Sequence, residues 1–237
     1  MKLRLFILPL AVLAVALQGC GGSGNGVVGI HNPRIRAVND FSDVTSVSAS
    51  VDNTDLLTSQ AFGATSAYAV ITNGNRTIAF DDVSGATSIP IVSQSSLLET
   101  EKYYTAVGTG SGPGGRHIIL LEDGEVIANN IAKIRVINAN EDHVSVDVYF
   151  TSTATADLNS STPQITSLGF ADAVLDYIDF VPGDYKVWIT NPGGKIPLDT
   201  KVVTLSANTI STMVWAKTSS GTDIQTLQDR PLPVGTP

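Results

Sequence analysis

Val144-Ser145-Val146-Asp147-Val148-Tyr149-Phe150 alternates apolar and polar side chains with a period of two. That is the signature of a strand with one buried face. The same reading places strands at Val174–Phe180, Tyr185–Thr190, Thr200–Leu205, Thr209–Ala216 and Ile224–Leu227. Upstream it places them at Arg34–Asn39, Val44–Val51, Ala67–Ile71, Thr77–Phe80, Ile89–Val92, Tyr103–Gly108 and His117–Leu121. Turn signals separate them, among them Pro182-Gly183-Asp184, Asn191-Pro192-Gly193-Gly194 and Ser219-Ser220-Gly221. No helical stripe of ten or more residues occurs after Gly26. About seven short strands in about 100 residues, with turns every 8–12, predict an all-β chain of immunoglobulin-like antiparallel β-sandwiches. A Cys–Trp–Cys signature of true immunoglobulin domains is absent. Gly183-Asp184-Tyr185 leading into a strand predicts a tyrosine corner, with the hydroxyl bonded back to backbone.

The pattern occurs twice. Ile35-Arg36-Ala37-Val38-Asn39 returns as Ile134-Arg135-Val136-Ile137-Asn138, a shift of 99, and residues 35–51 keep six identities of 17 at that shift. Tyr68 then matches Tyr177 at 109, Leu98 with Val107 matches Leu205 with Val214 at 107, and Leu121-Glu122-Asp123 matches Leu227-Gln228-Asp229 at 106. Loop insertions and deletions produce such a drift, so the pattern reads as a duplication. The expected organisation is a signal segment at 1–19, a tether at 20–32, sandwich repeats at 33–126 and 127–230, and a loose tail at 231–237.

The N-terminus stands apart. Lys2 and Arg4 precede an apolar run from Leu5 to Leu17, 13 residues long. As a helix it would extend about 20 Å, too short for a hydrocarbon core of about 30 Å, so it reads as a signal-peptide segment. Leu17-Gln18-Gly19-Cys20 resembles the lipobox of bacterial lipoproteins, although Gln18 replaces the usual small or branched residue. The resemblance implies cleavage before Cys20, a diacylglyceryl thioether on its sulfur and an acylated amino group. Two or three acyl chains hold a protein on a membrane almost permanently. Gly21 rather than Asp at the next place implies the outer membrane, facing periplasm or cell surface, in a Gram-negative cell. The competing reading is an ordinary secretory signal with a chance cysteine.

Composition narrows the chemistry. The chain holds 14 Lys+Arg against 22 Asp+Glu, and without residues 1–19 the balance is 12 against 22, a net of -10. That counts against nucleic acid, which needs clustered cations. The lone Cys20 excludes a disulfide framework, a four-cysteine zinc site and a CxxC redox motif. Gly110-Ser111-Gly112-Pro113-Gly114-Gly115 matches a dinucleotide-binding spacing but leads into Arg116-His117-Ile118-Ile119, strand-like sequence in place of the helix that would hold a pyrophosphate. It reads as a hairpin loop. No Gly-x-Ser-x-Gly elbow occurs, and His31, His117 and His143 are scattered. Asp52/Asp55, Asp81-Asp82, Glu122-Asp123, Glu141-Asp142 and Asp172/Asp176/Asp179 read as solvated turn carboxylates, with Glu141-Asp142 the first place to seek calcium. The expectation is no cofactor, no metal and no catalytic residue.

The order Ile-Arg-Val-Ile-Asn-Ala, then Val146-Asp147-Val148-Tyr149, then Val181-Pro182-Gly183-Asp184-Tyr185-Lys186-Val187 resembles the bacterial domain of unknown function 4397. The resemblance covers nearly all of the second copy and more weakly the first, where Ser48 stands for Asp147 and Asn73-Gly74-Asn75 for the Pro-Gly turn. Asn39 and Asn138 take the place of the family's usual histidine. It implies a secreted or lipid-anchored envelope protein, with no catalytic residues to carry over. Two functions stay open: a non-enzymatic envelope protein presenting loops or a sheet edge to a protein or glycan partner, or a carbohydrate-binding module for peptidoglycan or extracellular polysaccharide. The second needs exposed aromatics among Tyr103, Tyr104, Tyr149, Tyr177, Trp188 and Trp215.

Overall fold

The computed structural model describes residues 32–229 apart from 53, 125–126 and 174–175. Among them every regular element is a strand, as expected where β-branched residues dominate and turn formers interrupt. The first unit comprises β1 (Arg34–Phe41), β2 (Val47–Val51), β3 (Thr54–Gln60), β4 (Ala69–Val70), β5 (Gly74–Asp82), β6 (Ile89–Leu98), β7 (Tyr103–Gly110) and β8 (His117–Asp123). The second comprises β9 (Ala132–Ala139), β10 (Ser145–Ser152), β11 (Ile165–Gly169), β12 (Asp172–Ala173), β13 (Ile178–Phe180), β14 (Gly183–Thr190), β15 (Pro197–Leu205), β16 (Thr209–Thr218) and β17 (Gly221–Asp229).

Each unit is a pair of sheets with one strand order. The first builds β4-β1-β7-β8 and β3-β2-β5-β6; the second builds β12-β9-β16-β17, with β13 also on β9, and β11-β10-β14-β15. Pairing is antiparallel except between β1 and β7 and between β9 and β16, which run parallel. This exception places the Ile-Arg-x-x-Asn strands inside their sheets. Ile35, Ala37, Phe41, Val47, Ile78, Phe80 and Ala106 fill the first sandwich. Ile134, Val136, Val148, Ile189, Met213 and Trp215 fill the second. A third apolar cluster joins Val38, Val107 and Leu121 to Ile137, Val214 and Leu227, one set from each unit. The sheets carrying β1 and β9 therefore pack against one another, giving four layers. Strands of those middle sheets are buried on both faces, so β1, β7, β9 and β16 lack the alternation of β2.

The duplication's uneven spacing has a local cause. Two residues, 52–53, link β2 to β3, whereas twelve, 153–164, link β10 to β11. Those ten extra residues account for the step in the repeat shift from 99 to 109. They also carry Leu158 over Tyr149 and Trp188 on the outer face of the second unit.

Several expected boundaries change. β3 and β11 have no counterpart in the sequence-based strands, because Thr54–Gln60 is a mostly exposed edge without alternation and Ile165–Gly169 buries only Ile165 and Leu168. The strand expected over 44–51 begins at Val47, and the one expected from Val144 begins at Ser145, leaving Val144 exposed. Of the strand expected over 174–180, Ile178–Phe180 forms β13 on β9, Asp176 and Tyr177 lie outside it, and 174–175 fall outside the described residues; Asp172–Ala173 just upstream pairs with β9 as β12. The tyrosine corner forms: the Tyr185 hydroxyl donates to the Val181 carbonyl at 2.8 Å.

Candidate functional site

The seam between the units is built from six strands whose side chains meet in three successive layers. In the first, Arg36 on β1 crosses to β17. Its Nη2 donates to Asp229 Oδ1, its Nη1 to the Gln228 carbonyl at 2.7 Å and its Nε to Thr105 Oγ1 at 2.7 Å. Arg135 on β9 makes the equivalent bonds: Nη2 to Asp123 Oδ1 and Nη1 to the Glu122 carbonyl at 2.7 Å across the seam, and Nε to Thr212 Oγ1 of its own unit at 2.7 Å. Asp123 Oδ2 accepts from Tyr68 at 2.9 Å and Thr105 at 2.5 Å, and Asp229 Oδ2 accepts from Tyr177 at 2.7 Å and Thr212 at 2.5 Å. Each guanidinium lies over the corresponding tyrosine ring, at 4.8 Å for Arg36 on Tyr68 and 4.7 Å for Arg135 on Tyr177.

All four charged side chains are almost wholly buried. Two permanently charged guanidiniums face two carboxylates, and every lone pair used is matched by a donor, which is the condition for burying charge without a large penalty. Burial, and then the charge on Asp229, push the Asp123 carboxyl up, while Arg135 and Arg36 pull it down. Burial raises both tyrosine hydroxyls, with the adjacent aspartates adding to it. The network joins the units by groups that already have partners; what it does chemically is fix their relative position.

The second layer is apolar, made by Val38, Val107, Leu121, Ile137, Val214 and Leu227. In the third the two units differ. Asp40 on β1 occupies the place of Ala139 on β9, and its Oδ1 accepts from Gln225 Nε2 at 2.7 Å. Its Oδ2 has no hydrogen-bond partner among the described residues. Burial pushes this carboxyl up to about 7; the Gln225 bond opposes the shift and the charge of Asp223 adds to it.

Beyond Asp40 the β7–β8 loop closes the seam. Gly112 N and Arg116 Nη2 both donate to Asp43 Oδ2 at 2.9 Å, and Ser111 Oγ donates to Glu141 Oε1. Lys217 reaches Glu141 at 3.2 Å and Asp142 at 2.7 Å. The glycine-rich motif is thus the hairpin loop that its flanks predict. Gly110 sits at φ +91°, and a Cβ there would lie 1.9 Å from the Gly115 carbonyl oxygen.

Of the other sequence-selected features, Cys20, the signal segment, the tether, His31 and the tail lie outside the described residues. Lys217 bridges Glu141 and Asp142, Asp52 binds Arg76 at 3.2 Å, and Asp179 binds Lys133 at 3.0 Å. Among the described residues no group of three or more His, Asp or Glu side chains could hold a metal. His117 meets the Phe170 ring edge-on at 5.3 Å and His143 tilts against Trp215 at 5.2 Å. Tyr104, Tyr149, Trp188 and Trp215 are buried. Trp215 Nε1 donates to Asp199 Oδ2 at 3.1 Å and Trp188 Nε1 to Thr151 Oγ1 at 2.8 Å. Tyr177 serves the seam. Tyr103 is half-buried, edge-on to Tyr68 at 5.3 Å with Arg34 over its ring at 5.5 Å. Asn39 and Asn138 are fully buried: the first donates to the Gln60 carbonyl at 3.1 Å, the second to the Leu168 carbonyl at 3.2 Å.

The seam escaped the sequence reading, which used Arg36, Arg135, Tyr68 and Asp229 as landmarks of duplication, took Glu122-Asp123 for solvated turn carboxylates and offered Tyr177 as a glycan-stacking aromatic; Asp123 is instead buried against Arg135, and Tyr177 is bonded to Asp229. The available signal was a charged residue recurring inside an apolar strand, because a buried strand tolerates arginine only with a buried partner.

A tandem β-sandwich chain whose two units are joined by reciprocal buried Arg–Asp pairs is the class that fold and site define. The chain belongs to the family of the domain of unknown function DUF4397, which matches residues 33–149 and again 132–236. No curated protein matches the chain. Among solved structures it is similar to a family 26 carbohydrate-binding module of Eubacterium rectale Amy13K in complex with maltoheptaose. The match has 11% identity and a TM-score of 0.25, over 84% of this chain and 97% of that one.

Proposed function

We propose that this chain is a non-enzymatic protein of the bacterial cell envelope, anchored by lipid on Cys20 and presenting two fixed β-sandwiches to a protein or glycan partner. The observation that supports this most is the seam. Its Arg36–Asp229 and Arg135–Asp123 pairs commit the buried charge to holding two scaffolds in one orientation, which suits display of loops and sheet edges better than turnover. The anchor is inferred from the sequence around Cys20, and location at the outer membrane from Gly21. In the native host, Cys20→Ala abolishes radiolabelled palmitate incorporation and moves the protein from the membrane to the soluble fraction. Retained membrane fractionation with no palmitate label overturns the anchor.

Carbohydrate binding is the second reading. It rests on Tyr103, the half-buried member of the candidate aromatics that the seam does not use, which stands edge-on to Tyr68 at 5.3 Å. Titration of peptidoglycan fragments and soluble polysaccharides, monitored by calorimetry, decides it: heat that disappears in Tyr103→Ala supports a glycan site, and no heat removes it.

A further inference from the structure

We propose that the seam face of the second unit is a self-complementary docking surface whose partner, once the first unit is displaced, is the same face of a second copy of this chain. Every half of such a contact is already made. Asp229 and the Gln228 carbonyl accept an arginine from the strand equivalent to β9, and Arg135 donates to an aspartate and a carbonyl from the strand equivalent to β17. Pairing two second units exchanges Arg36 for another Arg135 and Asp123 for another Asp229, so residue types are conserved at all four charges. Val38, Val107 and Leu121 are exchanged for Ile137, Val214 and Leu227, apolar for apolar. Such an interface is isologous, the same patch on both sides.

The third layer sets which copies pair. Between second units, Gln225 would face Ala139, which carries no charge. Between first units, Asp40 would face Ile119, the residue at the place of Gln225, and would lose the donor that Gln225 provides. A buried carboxylate without a donor is strongly disfavoured. The face therefore accepts a second unit and rejects pairing of two first units.

Charge reversal in the full chain tests this. Arg36→Asp with Asp123→Arg sets like charges across the internal seam and frees the second unit's face. The expected result is a doubling of the mass of the wild-type chain by light scattering between about 1 and 100 μM. Adding Arg135→Asp and Asp229→Arg restores complementarity within the chain and returns the wild-type mass. A folded double variant of unchanged mass overturns the proposal. Should the double variant not fold, the wild-type chain is cut at a protease site placed within residues 124–131 and analysed by native mass spectrometry. Isotope-labelled and unlabelled cut protein are mixed, so that exchange of halves is itself seen. Homodimers of the second half, and none of the first, support the proposal; halves that exchange label yet occur only as first–second pairs overturn it, as do halves that never exchange.

Discussion

Asp40→Asn isolates the charge in the third layer of the seam. The carboxyl is 1% exposed, has one donor in Gln225, and is pushed from an ordinary 3.8 to about 7 chiefly by burial. Its folded-state value is raised, so the folded protein holds a proton there that the unfolded chain releases. Below pH 4 both states are protonated and the group contributes nothing to the pH dependence. Between pH 4 and 7 the unfolded chain ionises while the folded one does not, and stability falls as pH rises, by about 1.4 kcal/mol per pH unit. Above pH 7 both are ionised and the loss is constant. Three units of separation give a ceiling of about 4 kcal/mol. Asparagine has the same shape and no charge, so the stability of Asp40→Asn relative to wild type rises between pH 4 and 7 and then levels. Any constant offset from a changed hydrogen bond leaves that rise intact. Urea unfolding monitored by the emission of Trp188 and Trp215 at pH 4, 5, 6, 7 and 8 measures it. Parallel curves, with a difference that stays within about 1 kcal/mol across the range, would refute the assignment of a buried, desolvated carboxyl to Asp40.

Arg135→Ala leaves Asp123 buried without its guanidinium and lowers stability by about 3–5 kcal/mol, read from the urea midpoint; a loss under about 1 kcal/mol contradicts a closed network. Gly110→Ala drives a Cβ into the Gly115 carbonyl and costs more than about 2 kcal/mol, with new proteolysis at 111–116, whereas Gly112→Ala, at φ +62° with open space, costs about 1–2 kcal/mol. Tyr185→Phe removes the hydroxyl that caps Val181 and lowers stability by about 1 kcal/mol in the same assay, since the ring remains packed against Phe180.

Strand identity and duplication were legible because both are local or self-referential. Alternation at 144–150 arises from one face meeting apolar side chains and the other meeting solvent. Recurrence of Ile-Arg-x-x-Asn needs no knowledge of contacts. The glycine loop was legible for the same reason, since the strand-like residues from Arg116 onward decide between a hairpin and a phosphate site. Edge strands such as β3 were not, because a strand with little buried surface leaves little pattern in its sequence.

The sequence by itself determined that this protein is all-β, twofold in its pattern, acidic, and preceded by a lipobox-like segment. Its tertiary structure decided what the repeated charges are for. Arg36 and Asp229 are 193 residues apart and Arg135 and Asp123 are 12 apart, yet the two pairs are equivalent. Sequence spacing has no bearing on such a pairing; it exists only once two sheets are buried face to face and their arginines have no water to turn to. That burial also separates Asp40 from Ala139, two places that the repeat alone treats as one.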